Sequence, residues 1–165
     1  VVDDEEKIRS IVSAILRDEG YDVRTAANGI EALNAAATCV PDLLLVDLQM
    51  PHMDGIETLS RFRERHPAAL AIVLTAHGSI RSAVDAIKGG AYDYLTKPFD
   101  NEHLLLAVRR ATELARVTAE LDALKRTLDN RNSADAILGA SAVMADLRDQ
   151  IRRIARTDAT VLIEG

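Results

Sequence analysis

Two apolar runs dominate the pattern of the chain. Leu43-Leu44-Leu45-Val46 and Ala71-Ile72-Val73-Leu74 are each four consecutive apolar residues, the pattern of strands buried on both faces of a parallel sheet. Elsewhere apolar positions recur at spacings of three and four, as on amphipathic helices. Ile8, Ile11, Val12, Ile15 and Leu16 form the first such set, and Gly20 is placed to end it. Asn28-Gly-Ile-Glu31 and Asp54-Gly-Ile-Glu57 read as capping boxes. They open helices expected to reach Ala37 and about Arg65, the second stopped by Pro67. Ile80, Ala83, Val84 and Ile87 mark a helix that starts at Ser79 and closes at Gly89-Gly90. Shorter strands are expected at Val1-Val2, at the alternating Tyr21, Val23 and Thr25, and at Tyr92–Thr96; Asp100 then caps a final helix. Five strand-then-helix units in a row predict an α/β fold, a flavodoxin-like, doubly wound parallel sheet of five strands in order 2-1-3-4-5. Val1 already stands within the first strand, which is therefore expected to begin upstream of it.

That unit closes near Arg110, but the apolar pattern continues. Leu114, Val117, Leu121, Leu124 and Leu128 follow at alternating spacings of three and four, a short a/d seam extended backward by Ala107 and interrupted by Arg110. Such a seam packs either on its own domain or on a partner helix. A partner is favoured here because the preceding domain is already complete, which predicts a homodimer through a C-terminal linker helix. Asp129 to Ser133 is polar and turn-like, and reads as a linker. Ser141 is placed to cap a further helix with Val143, Met144, Leu147, Ile151 and Ile154 inward, and Val161-Leu162-Ile163 reads as a strand. This tail is too short for a core of its own. The expected division is residues 1–115, 116–135 and 136–165.

Composition narrows the function classes. Apolar residues make up 48% and charged residues 28% of the 165, ordinary for a globular protein, while aromatics are only 3%, so the core must be aliphatic. No apolar run approaches the roughly 20 residues of a membrane span. One cysteine, Cys39, cannot form an internal disulfide, which fits a cytoplasmic location. A formal charge of −6 argues against nucleic-acid binding by this segment. His52, His66, His77 and His103 share no metal-ligand spacing, and the Arg148, Arg152, Arg153, Arg156 series reads as a solvated helix face.

The chemistry lies at the strand ends. Asp3 and Asp4 follow the first strand and Asp47 ends the third; in this strand order the two are neighbours, so the acids converge where ligands bind in such sheets. Two unit charges about 4 Å apart repel by roughly 4 kcal/mol at an effective dielectric near 20. Such a cluster calls for a cation, and Mg²⁺, which takes one or two carboxylates with water and phosphate oxygens, suits it. Thr75 ends the fourth strand with a hydroxyl, and Lys97 ends the fifth with a positive charge. Each residue alone has an ordinary explanation: a helix-dipole acid, a strand threonine, a surface lysine. All of them at one sheet edge make a site for a phosphoryl group on Asp47.

These stretches carry a resemblance. Val-Val-Asp3-Asp4-Glu, Leu-Val-Asp47-Leu-Gln-Met-Pro-His-Met-Asp-Gly, Leu-Thr75-Ala76-His77-Gly and Tyr94-Leu-Thr-Lys97-Pro98-Phe99 resemble, in order and spacing, the signature stretches of two-component response regulator receiver domains. The tail from Ile137-Leu-Gly-Ala-Ser141 to Ala159-Thr-Val-Leu-Ile-Glu-Gly165 resembles the opening of the AAA+ domain of NtrC-type, sigma-54-dependent activators. Gly165 stands where a Walker A loop would begin, and without the rest of that loop no ATP hydrolysis is expected of this segment.

The resemblance implies that a sensor histidine kinase phosphorylates Asp47. It implies Mg²⁺ held directly by Asp4 and Asp47, by Asp3 through water and by the Gln49 carbonyl. Lys97 and Thr75 would contact the phosphoryl oxygens. Tyr94 would turn inward as Thr75 moves, with small Ala76 leaving it room, and the Lys97-Pro98 bond would be cis. Output would pass through the Ser79–Gly89 helix, the Tyr92–Thr96 strand and the Asp100 helix to a downstream ATPase; sigma-54 RNA polymerase and DNA would be reached only through domains outside this chain. Two other classes compete. A Mg²⁺-dependent phosphatase with an aspartyl nucleophile would need a general acid two residues after Asp47, where Gln49 stands. A structural dimerisation module would have no use for Mg²⁺.

Overall fold

The structure, a computed structural model, describes residues 1–76, 80–132 and 141–154. The chain falls into two compact units, Val1–Val117 and Thr118–Gly165. In the first, helix α1 (Glu6–Asp18) and helix α2 (Gly29–Thr38) precede strand β1 (Leu43–Asp47), followed by α3 (Gly55–Arg65), β2 (Leu70–Thr75), α4 (Ile80–Lys88) and β3 (Asp93–Thr96). Helix α5 (Asn101–Asn132) runs on into the second unit, which also holds α6 (Ala142–Ile154).

The two apolar runs are the two central strands. β1 pairs parallel with β2, Leu43 opposite Leu70, and β2 pairs parallel with β3, Ile72 opposite Asp93. Side chains alternate across the sheet because successive Cβ atoms of a strand point to opposite faces. Leu44, Val46, Ala71 and Val73 join Leu33, Leu59 and Phe62 of α2 and α3 in one buried cluster. Leu45, Ile72 and Leu74 join Val12 and Leu16 of α1 and Leu104, Val108 and Ala111 of α5 in another. Unbroken apolar runs are therefore required here, since each neighbouring residue meets a different helix layer.

The sheet has three strands among the described residues, not five. The segments expected as the first two contribute single parallel bridges, Val2 to Val46 and Val2 to Ala26. Val2 N–H donates to Leu45 O (2.7 Å) and Asp47 N–H to Val2 O (2.8 Å), while Ala26 N–H donates to Val1 O (3.0 Å). The pairing is thus concentrated at Val2, just ahead of Asp3, and the second segment meets it at Ala26, one residue past the expected Tyr21–Thr25 strand.

Helix ends follow their caps. Asn28 caps α2, its Oδ1 accepting from Glu31 N–H at 2.9 Å, while the Glu31 carboxylate reaches back one residue further, Oε2 accepting from Ala27 N–H at 2.9 Å and Oε1 from the Asn28 side-chain amide at 3.0 Å. At α3 only half the box forms; Asp54 accepts from Glu57 N–H, and the Glu57 carboxylate pairs with Arg61 instead. Asp100 accepts from His103 N–H and starts α5. Gly20 and Gly90 adopt positive φ after α1 and α4, where a Cβ would be strained.

Helix α5 departs from expectation. Asp129–Asn132, expected as a turn-like linker, is helical, since cap-forming polar residues without Gly or Pro do not stop a helix already propagating. Leu104, Ala107, Val108 and Ala111 are buried, whereas Leu114, Val117, Leu121, Leu124 and Leu128 are all exposed. In α6, Ser141 Oγ accepts from Met144 N–H as a cap. Of its apolar stripe, Val143, Leu147 and Ile154 are exposed and Met144 and Ile151 half-buried among the described residues. The strand expected at 161–163, Ser79, His77 and Arg156 lie outside the described residues. Among those described, no helix is long and apolar enough to cross a membrane.

Candidate functional site

Asp3, Asp4 and Asp47 meet at the carboxyl edge of the sheet. One carboxylate oxygen from each lies within 4.8 Å of the others. The Val2 bridge to Val46 accounts for this: it aligns the end of the first segment with the end of β1, so the residues that follow emerge side by side.

The three acids differ in surroundings. Asp3 is fully buried, with Oδ1 accepting from Glu5 N–H (2.9 Å) and Oδ2 from Lys97 Nζ (2.6 Å). Asp4 is exposed. Asp47 is buried; its Oδ2 lies 3.2 Å from Lys97 Nζ, and its Oδ1 is buried with no hydrogen-bond partner among the described residues. An unsatisfied buried acceptor costs on the order of 1–3 kcal/mol. Burial, with Asp3 adding to it, raises the Asp47 pKa above its ordinary value, although Lys97 pulls the other way. Burial also works to lower the Lys97 pKa, but the hydrogen bond to Asp3 and the charges of Asp47 and Asp3 outweigh it and leave the ammonium above its ordinary value.

Lys97 reaches the acids from the end of β3, held there by its own N–H donating to Thr75 O at 2.7 Å. The Lys97-Pro98 bond is cis, as the resemblance implied. Thr75 is buried at the end of β2 beside Asp47's strand, while Ala76, Gln49 and Tyr94 are exposed. Asp3, Asp4, Asp47 and Lys97 are thus brought together.

Two contributors have no site role assigned from the sequence. Gly55 stands in a capping box and at the end of a signature stretch, but neither assigns it a role; a Cβ there would sit 2.1 Å from Asp47 O, so the loop after β1 can fold back only on a glycine. Gly55 N–H donates to Leu48 O, closing that loop. Arg9, on α1, donates through Nη1 to Asp3 O (2.7 Å) and Asp4 O (2.9 Å). A separate cavity of about 280 Å³, lined by Val1, Tyr21, Cys39, Leu43 and Val108, touches none of the expected site residues.

The donor set is all carboxylate oxygen, which selects a hard cation over zinc or copper. The orphaned Asp47 Oδ1 is an acceptor that such an ion would satisfy, so the residues present fit Mg²⁺.

Residues 1–109 match the response regulator receiver domain. The chain belongs to that family. The match takes in Asp3, Asp4, Asp47, Thr75 and Lys97. Beyond the receiver domain, the whole chain aligns with the nitrogen assimilation regulatory protein NtrX of Azorhizobium caulinodans at 37% identity and with the regulatory protein AtoC of Escherichia coli at 36%. It spans about a third of these relatives, 36% of each. The crystal structure of the receiver domain of NtrX from Brucella abortus superposes with a TM-score of 0.66 at 39% identity, covering 68% of this chain and 95% of that one. The fold is therefore that of a receiver domain, a parallel sheet between helix layers.

Proposed function

We propose that residues 1–115 are a phosphoacceptor switch in which Asp47 takes a phosphoryl group from a sensor histidine kinase. One observation carries the proposal: a buried Asp47 oxygen without a donor, beside a lysine and two further acids. In the transfer, the Asp47 carboxylate oxygen forms a bond to phosphorus as the donor's bond to phosphorus breaks, giving an acyl phosphate. The group adds about −1.5 to −2 charge. Lys97, already between Asp3 and Asp47, offers a positive contact to its oxygens. Asp4 and Asp47 would hold Mg²⁺ directly, Asp3 through water and Gln49 through its carbonyl; when bound, the ion shields the acids and the incoming phosphoryl group. That Asp3 already spends both oxygens on Glu5 and Lys97 supports its indirect role.

Switching requires two packings. Tyr94, 40% exposed on β3, is one of them; the other has its ring turned inward as Thr75 moves to the phosphoryl group past small Ala76. Moving a population from 1:99 to 99:1 takes about 5.5 kcal/mol of differential stabilisation, within reach of a few charge-assisted hydrogen bonds. The output face is α4, β3 and α5, where Val84, Ile87 and Leu106 are also exposed. We assign the five exposed apolar residues Leu114, Val117, Leu121, Leu124 and Leu128 to a homodimer seam in a linker over 116–135, and 136–165 to the start of an AAA+ domain that activates sigma-54-dependent transcription. The bridged segments at Val2 and Ala26 would then be the first two strands of a 2-1-3-4-5 sheet in a cytoplasmic regulator.

The test is incubation with acetyl phosphate or beryllofluoride plus Mg²⁺, scored by intact mass and oligomeric state. One stable phosphoryl group per chain and a changed dimer population are expected. Steady turnover of a phosphate ester would favour the phosphatase class, for which Gln49 supplies no general acid; no Mg²⁺ dependence would leave a structural module.

A further inference from the structure

Arg9 has a placement that the phosphoryl chemistry does not use. It lies on the second turn of α1, half-buried, and its Nη1 donates to two consecutive carbonyls, those of Asp3 and Asp4. These are the residues at which the chain leaves the sheet and enters the helix. Glu5, the N-cap residue of α1, makes no side-chain capping bond, and besides Arg9 the turn is held by Asp3 Oδ1, which accepts from Glu5 N–H. Arg9 is itself anchored, its N–H donating to Glu5 O (3.1 Å) and its carbonyl accepting from Ser13 Oγ (2.6 Å).

The two acids depend on this clamp unequally. Asp3 has its carboxylate fixed at both oxygens, by Glu5 N–H and by Lys97. Among the described residues no hydrogen bond or ion pair reaches the Asp4 carboxylate, and the residue is exposed. With no partner fixing its carboxylate, the position from which the Asp4 side chain reaches the cluster is set by its backbone, and the backbone is held by the Arg9 guanidinium. We propose that Arg9 is a positioning residue for the metal site: by clamping the Asp3 and Asp4 carbonyls it aims Asp4 at the cluster shared with Asp47. The proposal rests on the reading of that cluster as a Mg²⁺ site.

Charge and clamp make opposite predictions. A guanidinium on the Asp3–Asp4 carbonyls repels a divalent cation entering the neighbouring cluster, so by charge alone removing it strengthens binding. As a clamp, removing it weakens binding, since groups that orient metal ligands are worth roughly tenfold or more in affinity. The experiment is a Mg²⁺ titration of the chain by NMR, following the Asp4 and Asp47 amides, for wild type, Arg9→Met and Arg9→Lys. Hydrogen exchange of the Glu5 amide is measured on the same proteins without metal. Arg9→Met is expected to weaken Mg²⁺ binding by about tenfold and to speed Glu5 exchange. Arg9→Lys keeps the charge but loses the planar guanidinium, falls between the two, and carries the test should Arg9→Met fail to fold. Variants that bind Mg²⁺ as tightly as wild type or tighter, or Glu5 exchange left unchanged, would overturn the clamp. A wild-type chain that binds no Mg²⁺ would instead sink the metal-site reading, while the Glu5 exchange still decides whether Arg9 holds the turn.

Discussion

Strands β1 and β2 contrast with strand β3. The first two end on buried side chains, Asp47 and Thr75, and from Leu44 and Ala71 onward every residue is buried. β3 is shorter, and its residues alternate between half-buried and exposed, with Tyr94 outward. The chemical group that must stay in place stands on the strand locked between two helix layers. The lysine that completes the site, and the aromatic proposed to move, come from the edge strand with less packing to hold it. A switch needs both: a fixed acceptor and a neighbour whose packing has an alternative.

Substitutions break this contrast in a definite order. Lys97→Met removes the charge between Asp3 and Asp47 and leaves buried carboxylates uncompensated. A loss of about 3–5 kcal/mol is expected in urea unfolding at neutral pH without magnesium, and added Mg²⁺ should restore part of it. Leu74→Ala opens a cavity in the rigid half of the sheet and is expected to cost about 2–5 kcal/mol by the same measurement. Gly55→Ala forces a Cβ against Asp47 O; about 1–3 kcal/mol is expected from the overpacking, with slower phosphorylation by acetyl phosphate. Tyr94→Ala, on the edge strand, should stay within about 0.5 kcal/mol of wild type, yet alter the response to beryllofluoride. Equal losses for Leu74→Ala and Tyr94→Ala would erase the contrast.

The smallest effect is in the pH dependence. Burial raises the Asp47 pKa in the folded chain above 3.8, so the folded state holds its proton where the unfolded state has lost it. The stability linked to this group is present below the unfolded value and is lost as pH rises through the folded one. Asp47→Asn should therefore flatten that descent and raise Tm at neutral pH without magnesium. Lys97, raised above 10.5, keeps its stabilising contribution across the neutral range and loses it only above that value.

Much of this was legible in the sequence because two central strands buried on both faces leave unbroken apolar runs, and because acids at strand ends are conspicuous against them. The runs Leu43–Val46 and Ala71–Leu74 identify the central strands, and Asp3, Asp4, Asp47 and Lys97 at strand ends place the cluster at the sheet's edge. Contacts made through the backbone were not legible. Arg9 binds carbonyls, which every residue has, and Gly55 matters for the Cβ it lacks. Helix limits are hard to read where polarity mimics a turn, as at Asp129–Asn132, which is helical. On α6, periodicity marks an apolar face but not what covers it: Val143, Leu147 and Ile154 are exposed while Met144 and Ile151 are half-buried among the described residues.

The central claim is that Asp47, and no other acid in the cluster, carries the phosphoryl group. Treatment with acetyl phosphate and Mg²⁺, followed by borohydride reduction and peptide mass spectrometry, reads it directly, because reduction converts a phosphorylated aspartate to homoserine. Homoserine at position 47 alone, dependent on Mg²⁺, is the predicted result. Homoserine at Asp3 or Asp4 with Asp47 unchanged would contradict it.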